Sequence, residues 1–204
     1  MEMKIRVLLA MIMVLAVGSP AHAQGDWWFG FAYETSLASG NTANFAGGLS
    51  WRGASFGGRN MVKENVSVGF WTAWHVMDET GVETIDFDEE GFDLGATVTG
   101  DFFRYVNSFP IMMNAHWYSG LPGNTRIAAG LNAGVYYIER RAEVGIFAVT
   151  RDNWHFGLAP ELSVITPMGW RARGFVGARY NWAASSGGSG SITYFNFFVG
   201  VAWM

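Results

Sequence analysis

Large apolar residues occupy every second position along most of this chain, and this alternation constrains its fold more than any other feature. The clearest example is the C-terminal segment SITYFNFFVGVAWM. One parity of this segment carries Phe195, Phe197, Val199, Val201 and Trp203, whereas most positions of the other parity are small or polar. A period of two residues is that of a β-strand whose two faces meet different surroundings. The chain is therefore expected to fold mainly as strands.

Eight segments show the alternation, and we predict a strand at each of them. They comprise residues 27–36, 45–56, 66–77, 109–118, 126–138, 154–165, 171–182 and 191–204. Pro160 removes one backbone donor from the sixth segment, which counts against a strand there. If the first strand starts at the periplasmic side, the outer connections are 37–44, 78–101, 139–153 and 183–191, and the inner turns are GGRNMVKEN, LPGN and TPMG. Long outer loops and short inner turns are typical of outer-membrane barrels.

The two parities differ in a way that favours a membrane barrel over a soluble β-sandwich. In a soluble sheet the apolar parity packs in a core, whereas in an outer-membrane barrel it faces lipid and the polar parity lines the interior. Here the polar parity is rich in Gly and Ala, which suits a crowded interior, and only 15% of the residues are charged. Tryptophans near the strand ends are expected to form an aromatic girdle at the membrane interfaces. They are Trp27, Trp51, Trp74, Trp117, Trp154, Trp182 and Trp203.

We therefore predict an all-β fold, an eight-stranded antiparallel up-and-down transmembrane β-barrel, with a soluble periplasmic sandwich as the alternative. Backbone groups cannot stay unpaired in hydrocarbon, so the first and last strands must pair with each other. Eight strands enclose an interior just wide enough to be filled by side chains, so no open pore is expected.

The N-terminal segment MEMKIRVLLAMIMVLAVGSPAHAQ has the features of a secretory signal peptide. Two basic residues precede an apolar run, and the AHA sequence that ends at Ala23 is a small-x-small cleavage site. We predict that residues 1–23 are removed and that residues 24–204 form the barrel domain. A short membrane anchor is the alternative.

The charge of the mature chain argues against nucleic acid as a partner. Of the 13 basic and 17 acidic residues, cleavage removes Lys4, Arg6 and Glu2, which leaves 11 basic and 16 acidic residues. Nucleic-acid-binding domains carry the opposite balance. The chain also contains no cysteine, so disulfides cannot hold it together.

The mature chain resembles, over essentially its whole length, the small eight-stranded outer-membrane barrels of the OmpX, OmpW and OmpA group. The resemblance rests on the signal peptide, the strand rhythm, the segments MVKENVSVGF and FRYVNSFPIMMNAHWY, and the aromatic C-terminus. It implies an integral protein of the cell outer membrane of a Gram-negative-type bacterium, exported by a Sec-type route with periplasmic chaperones and expected to be a monomer. It also implies a signal that the barrel-assembly machinery reads, formed by Phe197, Val199, Val201 and Trp203. Met204 departs from the family pattern by adding a residue after the terminal aromatic.

Ionisable and amide side chains of the inward parity mark a candidate site. They are Glu34, Arg52, His75, Asn114, His116, Asn132, His155, Glu161, Arg171, Arg173, Arg179 and Asn181. Charges in a narrow interior should be paired, because an isolated buried charge is very costly. We therefore predict a polar plug in which arginines bridge Glu34 and Glu161 and stiffen the barrel. An ion-pair gate that admits water and small solutes is the alternative.

No metal site and no cofactor are predicted. Three histidines of the mature chain face inward, but nothing in the sequence places them at one height, whereas zinc needs three or four converging ligands. The segment DETGVETIDFDEEGFD carries eight acids and no base. In it Asp86, Asp88 and Glu90 imitate the start of a calcium loop, but Thr97 stands where the bidentate Glu should be. A solvated anionic loop is expected, with loose divalent binding that bridges to lipopolysaccharide phosphates as the alternative.

These features predict a non-enzymatic outer-membrane protein with a structural or surface-interaction role. Its expected partners are outer-membrane lipids and lipopolysaccharide. A narrow channel of the OmpW type, for small solutes or hydrophobic compounds, is the main alternative. A lipid A-modifying enzyme is a further alternative, but it needs a Ser and His pair at the lipid face or rim, and no histidine of the mature chain lies on the outward parity.

Overall fold

One antiparallel sheet closes on itself to form a barrel. The computed structural model describes residues 27–86, 97–120, 123–144, 147–169 and 171–204. Within these ranges the elements are β1 (Trp27–Ser39), α1 (Gly40–Ala43), β2 (Leu49–Ser50), β3 (Gly53–Lys63), β4 (Val66–Asp86), β5 (Thr97–Tyr118), β6 (Arg126–Val144), β7 (Phe147–Pro167), β8 (Ala172–Ala183) and β9 (Ile192–Trp203). The two-residue strand β2 pairs only with β1, and the other eight strands form a ring. The prediction of an eight-stranded antiparallel barrel is confirmed.

The ring closes between β1 and β9. Eleven consecutive residue pairs join the two strands, from Phe29 opposite Trp203 to Ser39 opposite Thr193. An unpaired backbone group in hydrocarbon costs several kcal/mol, so a sheet that crosses a bilayer gains most from pairing its first strand with its last. The alternating C-terminal segment is therefore the strand that completes the wall.

The two faces of the wall have the inverted polarity that the sequence predicts. On β9, Phe197 and Val199 are 47% and 58% exposed on the outer surface, whereas Tyr194 and Asn196 are fully buried in the interior. The same alternation runs along β1, where Phe31 is exposed and Glu34 is buried. An apolar exterior around a polar interior is the arrangement of an outer-membrane barrel.

A β-bulge corrects the predicted second strand at 45–56. Ser36 pairs with Ser50 on β2, but three residues earlier on β1 Tyr33 pairs with Ala54 on β3, so the second strand contains one extra residue. The extra residue lies at Trp51 and Arg52, and beyond it the inward parity changes from even to odd numbers. The predicted inner turn GGRNMVKEN is also wrong, because β3 continues through most of it and only residues 64–65 separate β3 from β4.

Two prolines interrupt single ladders without ending their strands. Pro160 lies inside β7, where the pairing with β6 is continuous but the pairing with β8 skips from Leu158 to Glu161. Pro110 of β5 interrupts the ladder to β4 in the same way, and the Thr72 hydroxyl donates a hydrogen bond of 2.9 Å to the Pro110 carbonyl. The sixth predicted strand is therefore present despite its proline.

Four strands rise well beyond the rest of the wall. The predicted loops 78–101 and 139–153 are strand over most of their described residues. β4 loses β3 as a neighbour after His75 but continues paired with β5 to Asp86, and β7 pairs with β8 only up to Gly157. Eleven residues of β4 past His75 extend about 35 Å along the strand at about 3.3 Å each. We call residues 76–86, 97–107, 139–144 and 147–156 the protruding sheet.

The segment between β1 and β2 closes the mouth of the barrel at the end from which the protruding sheet rises. Thr42 in α1 and Ala46 after it are fully buried. The Thr193 backbone N–H donates to Thr42 Oγ1 at 2.9 Å, and the Gly47 N–H donates to Glu79 Oε2 at 2.7 Å. Across the described residues, no helix has the length and apolar character needed to cross a membrane.

Close packing inside the barrel predicts that alanine substitution destabilises the protein at one glycine and not at another. A Cβ atom on Gly130 would lie 2.1 Å from the His116 ring, whereas a Cβ on Gly100 would meet nothing within 4 Å. We expect Gly130→Ala to lower the free energy of unfolding by about 1–3 kcal/mol, since the His116 ring must move. Urea unfolding of the detergent-solubilised protein measures the effect, with Gly100→Ala as the matched control. Equal stability of the two variants would contradict this packing.

Candidate functional site in the barrel interior

A network of ion pairs crosses the interior of the barrel. Its centre is Arg179 of β8, which contacts Glu34 of β1 and Glu161 of β7. Arg179 Nη1 lies 3.2 Å from Glu34 Oε1, and Arg179 Nη2 lies 2.8 Å from Glu161 Oε2. Both carboxylate side chains are fully buried and Arg179 is 3% exposed. One guanidinium therefore bridges two carboxylates that enter from opposite parts of the wall.

Arg59 of β3 completes the neutralisation of Glu161. Its Nη2 donates to Glu161 Oε1 at 2.8 Å. His116 Nε2 lies 3.1 Å from the same oxygen, but its angles are not those of a hydrogen bond. Two arginines thus face two carboxylates, and the net charge of these four groups is zero. This balance offsets part of the free-energy cost of burying the charges.

Aromatic rings hold the central guanidinium on both sides. The Arg179 Cζ atom lies 3.7 Å from the centre of the Trp71 ring and 4.9 Å from that of Phe198. Such cation–π contacts stabilise a desolvated cation and also restrict its rotation. Trp71 and Phe198 therefore orient Arg179 towards its two carboxylates.

A chain of hydrogen bonds extends the network across the barrel. His75 Nε2 lies 2.7 Å from Glu34 Oε2, and His75 Nδ1 lies 3.1 Å from the Tyr194 hydroxyl. The Tyr194 hydroxyl in turn lies 2.9 Å from Ser108 Oγ. The polar chain therefore links strands β1, β4, β5 and β9 through buried side chains.

Amide side chains form a second polar cluster beside the network. The Tyr136 hydroxyl donates to Asn181 Oδ1 at 3.0 Å, and Asn181 Nδ2 donates to Asn196 Oδ1. Asn196 Nδ2 then donates to Ser36 Oγ at 2.8 Å. Separately, Asn132 Nδ2 donates to the Ala159 carbonyl at 2.7 Å. These bonds link β6 to β8, β8 to β9, β9 to β1 and β6 to β7 inside the barrel.

Apolar side chains fill the interior between this polar layer and the protruding sheet. Met77, Val106, Ile138 and Ile192 are each at most 2% exposed and pack in one cluster. Phe45, from the segment that closes the mouth, packs against the same cluster. The polar layer is therefore sealed from the protruding end by close-packed side chains.

A small cavity lies on the other side of the polar layer, towards the short turns. Its volume is about 60 Å³, and Trp28, Arg59, Asn114 and Arg179 are among its lining residues. Neither amide atom of the buried Asn114 has a partner among the described residues. A cavity of this volume has room for a few water molecules, which would give the Asn114 amide its hydrogen-bond partners.

Further arginines lie at the short-turn end. The Arg173 guanidinium lies 4.4 Å from the centre of the Trp28 ring, and that of Arg126 lies 5.0 Å from the Tyr118 ring. Arg126 also donates to the Glu64 carbonyl at 2.9 Å. The interior at this end is therefore basic.

The structure gathers some of the sequence-predicted interior residues and separates others. Glu34, His75, His116, Glu161 and Arg179 meet in the network. Buried elsewhere in the interior are Asn114, Asn132, His155 and Asn181, and Arg173 is half-buried at the short-turn end.

Two predicted interior residues do not lie there. Arg52 sits in the β-bulge, where its side chain is 61% exposed and Nη1 lies 3.7 Å from Asp78 Oδ2. Arg171 precedes β8 in the turn and is exposed. Both corrections have the same cause. Whether a residue number is odd or even predicts the direction of its side chain only within a continuous strand ladder.

Sequence reasoning missed Arg59 and the tyrosine hydroxyls. Arg59 lies in the segment GGRNMVKEN, which the sequence predicts as an inner turn, and the bulge that brings its side chain inward leaves no mark in the alternation. Tyr194 lies on the inward parity of the predicted eighth strand, so its place in the interior could have been inferred from that parity. Its hydroxyl then needs a partner, because a buried hydroxyl without one is costly.

The histidines do not converge, and no group of potential metal ligands is found in the described part of the chain. His155 Nδ1 lies 2.7 Å from the Ala184 carbonyl, far along β7 from Glu161. Asp88 and Glu90 of the calcium-like segment lie outside the described residues.

The seven tryptophans of the predicted aromatic girdle lie at the two ends of the wall, and all seven are on its outer face. Next to the short turns are Trp27, Trp117 and Trp203, and towards the protruding end are Trp51, Trp74, Trp154 and Trp182. At the C-terminus, the Met204 N–H donates to the Arg171 carbonyl at 3.2 Å, so the additional residue extends the pairing of β9.

The charge balance of the network predicts a large effect of one substitution. Glu161→Gln removes a buried carboxylate that faces Arg59 and Arg179, which leaves excess positive charge in the interior. We expect the free energy of unfolding to fall by about 3–5 kcal/mol. Urea unfolding in detergent measures it, and Glu64→Gln in the exposed turn, expected within about 0.5 kcal/mol of wild type, is the control. An unchanged Glu161→Gln variant would contradict the charge balance of the network, because the uncompensated arginines would then carry no cost.

Solved structures of small outer-membrane barrels share this fold. The neisserial surface protein A (NspA) superposes with a TM-score of 0.53 at 11% identity, covering 87% of this chain and 94% of that one. A major outer membrane protein from Thermus thermophilus superposes with a TM-score of 0.53 at 14% identity, covering 86% and 98%. No protein-family model and no curated protein sequence matches the chain. The chain therefore has the fold of the small eight-stranded outer-membrane β-barrels.

Proposed function

We propose that this protein is a non-conducting, non-enzymatic barrel of the outer membrane that presents an interaction surface outside the cell. The protruding sheet carries this proposal, because four strands continue far past the height that closes the barrel. The closed interior serves as a rigid support for that sheet. Outer-membrane lipids surround the wall, and lipopolysaccharide is the nearest partner of the sheet.

The proposal includes the route to this location. Residues 1–23 act as a Sec-type signal peptide, and periplasmic chaperones escort the chain. The barrel-assembly machinery reads Phe197, Val199, Val201 and Trp203, all on the outer face of β9. The short turns then face the periplasm and the protruding sheet faces outward, as the lengths of the connections favour. The barrel acts as a monomer, since its ring is complete within one chain.

A free edge of β4 supports an interaction role. The Val76 N–H donates to the Arg52 carbonyl at 3.0 Å, so even-numbered backbone groups of β4 point to this side. Above Val76, β4 pairs with β5 alone among the described strands. At Asp78 the edge is still flanked by Ser50 and Arg52. The N–H groups of Thr80 and Val82 lie beyond them and face an edge to which an extended peptide could add as a further strand.

The edge makes a specific prediction for Thr80. Thr80→Pro removes a backbone N–H on the unpaired edge of β4. The backbone groups of the odd-numbered residues still form the hydrogen bonds to β5. We expect extended peptides selected from a random library on the nanodisc-embedded protein to lose at least about tenfold in affinity for Thr80→Pro, since the ring also blocks strand addition. Thr80→Ala retains the N–H and is the matched control. Peptides that bind Thr80→Pro as well as wild type would exclude the edge.

The closed interior makes a second prediction. We expect no conductance steps from the purified wild-type protein in planar bilayers, because the apolar cluster and the Glu161–Arg179 layer fill the interior. The alternative, a narrow channel, is favoured only by the small cavity on the short-turn side. Steps from wild type that change in Glu161→Gln but not in Glu64→Gln would replace our proposal with an ion-pair-gated channel.

A further inference from the structure

The inner face of the protruding sheet brings two arginines directly opposite each other. Arg140 of β6 pairs with Arg151 of β7 in the ladder. Arg140 lies on the parity of the buried Tyr136 and Ile138, so both arginines point to the face that continues the barrel interior. Like charges opposite each other on neighbouring strands destabilise a sheet. Such a pair calls for a counter-charge.

Among the side chains that the structure describes on this face, none supplies that counter-charge. The acidic residues of β6 and β7 that neighbour the pair, Glu139, Glu143 and Asp152, have the opposite parity and point to the outer face. Glu79 of β4 lies on the inner face, but it is opposite Arg104 and accepts the Gly47 N–H at 2.7 Å.

The contacts of Arg140 point to a bound anion. Its guanidinium lies 5.7 Å from the centre of the Phe45 ring, in the segment that closes the barrel mouth. Its Nη2 atom is buried and has no hydrogen-bond partner within the described ranges. Burial lowers the pKa of Arg140 from its usual value, and no carboxylate of the described residues offsets the lost hydration. Arg140 is half-buried and Arg151 opposite it is exposed, so an anion would reach the pair from the Arg151 side.

We propose that Arg140 and Arg151 together bind an oxyanion, the phosphate or sulfate ester of a saccharide or lipid headgroup. Each planar guanidinium can offer a fork of two N–H donors to a tetrahedral oxyanion. The anion removes the repulsion between the two cations. The site lies on the inner face of the protruding sheet and does not use the β4 edge. It rests on the proposed function, because it names a ligand class for the same interaction surface.

Direct titration tests the site. The full protein in phosphatidylcholine nanodiscs is titrated with inorganic phosphate and with sulfate, and the arginine Nε–Hε resonances report binding. We expect Arg151→Gln and Arg140→Gln each to weaken binding at least about tenfold, because a hydrogen bond to a charged group is lost. The control is Arg141→Gln, on the outer face of the same strand and paired with Glu143, which should change affinity less than about twofold. Equal losses in all three variants, or none in Arg151→Gln, would overturn the proposal.

Two further arms identify the source of the anion and guard against misfolding. The affinity for lipid A in vesicles is compared with that for its dephosphorylated form, and the affinity for a sulfated disaccharide with that for its unsulfated parent. The charged compound that binds more tightly than its uncharged counterpart identifies the source of the anion. At constant ionic strength, replacing chloride by phosphate should raise the Tm of wild type but not that of Arg151→Gln. An equal rise in both would also overturn the site. Thr80→Pro should retain anion binding, which separates failure of this site from failure of the edge.

Discussion

Backbone hydrogen bonding in a closed ring is the constraint on which the rest of this structure depends. In hydrocarbon each N–H and C=O needs a partner within the protein, and the pairing of β1 with β9 supplies the partners that an open sheet lacks. The irregularities are consistent with this constraint. The bulge at Trp51 and Arg52 adds a residue without breaking the ring, and Pro110 and Pro160 each interrupt the ladder on one side only.

Ring closure also determines the chemistry of the interior. Eight strands leave space for side chains only, so any charge that faces inward is desolvated and needs a nearby opposite charge. Glu34 and Glu161 share Arg179, and Arg59 supplies the second cation. A buried ion pair of this kind adds less stability than well-packed apolar residues could, but removal of one partner is costly. The network is therefore better understood as a means of fixing strand register than as a source of net stability.

The sequence predicted the features that depend on local alternation and missed those that depend on register. The eight-stranded barrel and the burial of Glu34 and Glu161 follow from parity within single strands. The predicted inward direction of Arg52 is wrong because one bulge shifts the parity, and Arg59 is missed because GGRNMVKEN is predicted as a turn; only the pairing with β1 reveals both. The protruding strands were assigned to loops because their acidic, Gly- and Thr-containing sequence resembles solvated loops, whereas pairing between β4 and β5 holds them as strands. No pattern in one sequence shows that Arg140 lies opposite Arg151.

The protruding sheet does not have the features of a segment selected for stability alone. It is not needed to close the ring, one edge of β4 has no paired strand among the described residues, and its ladder places like charges opposite each other on both faces. Arg140 faces Arg151 on the inner face, and Glu139 faces Asp152 on the outer face. Each such pair opposes folding, whereas at the centre of the membrane-spanning wall Glu34 and Glu161 are matched by Arg59 and Arg179. The proposed oxyanion would neutralise the Arg140–Arg151 pair, and so would account for the like-charge pair on the inner face.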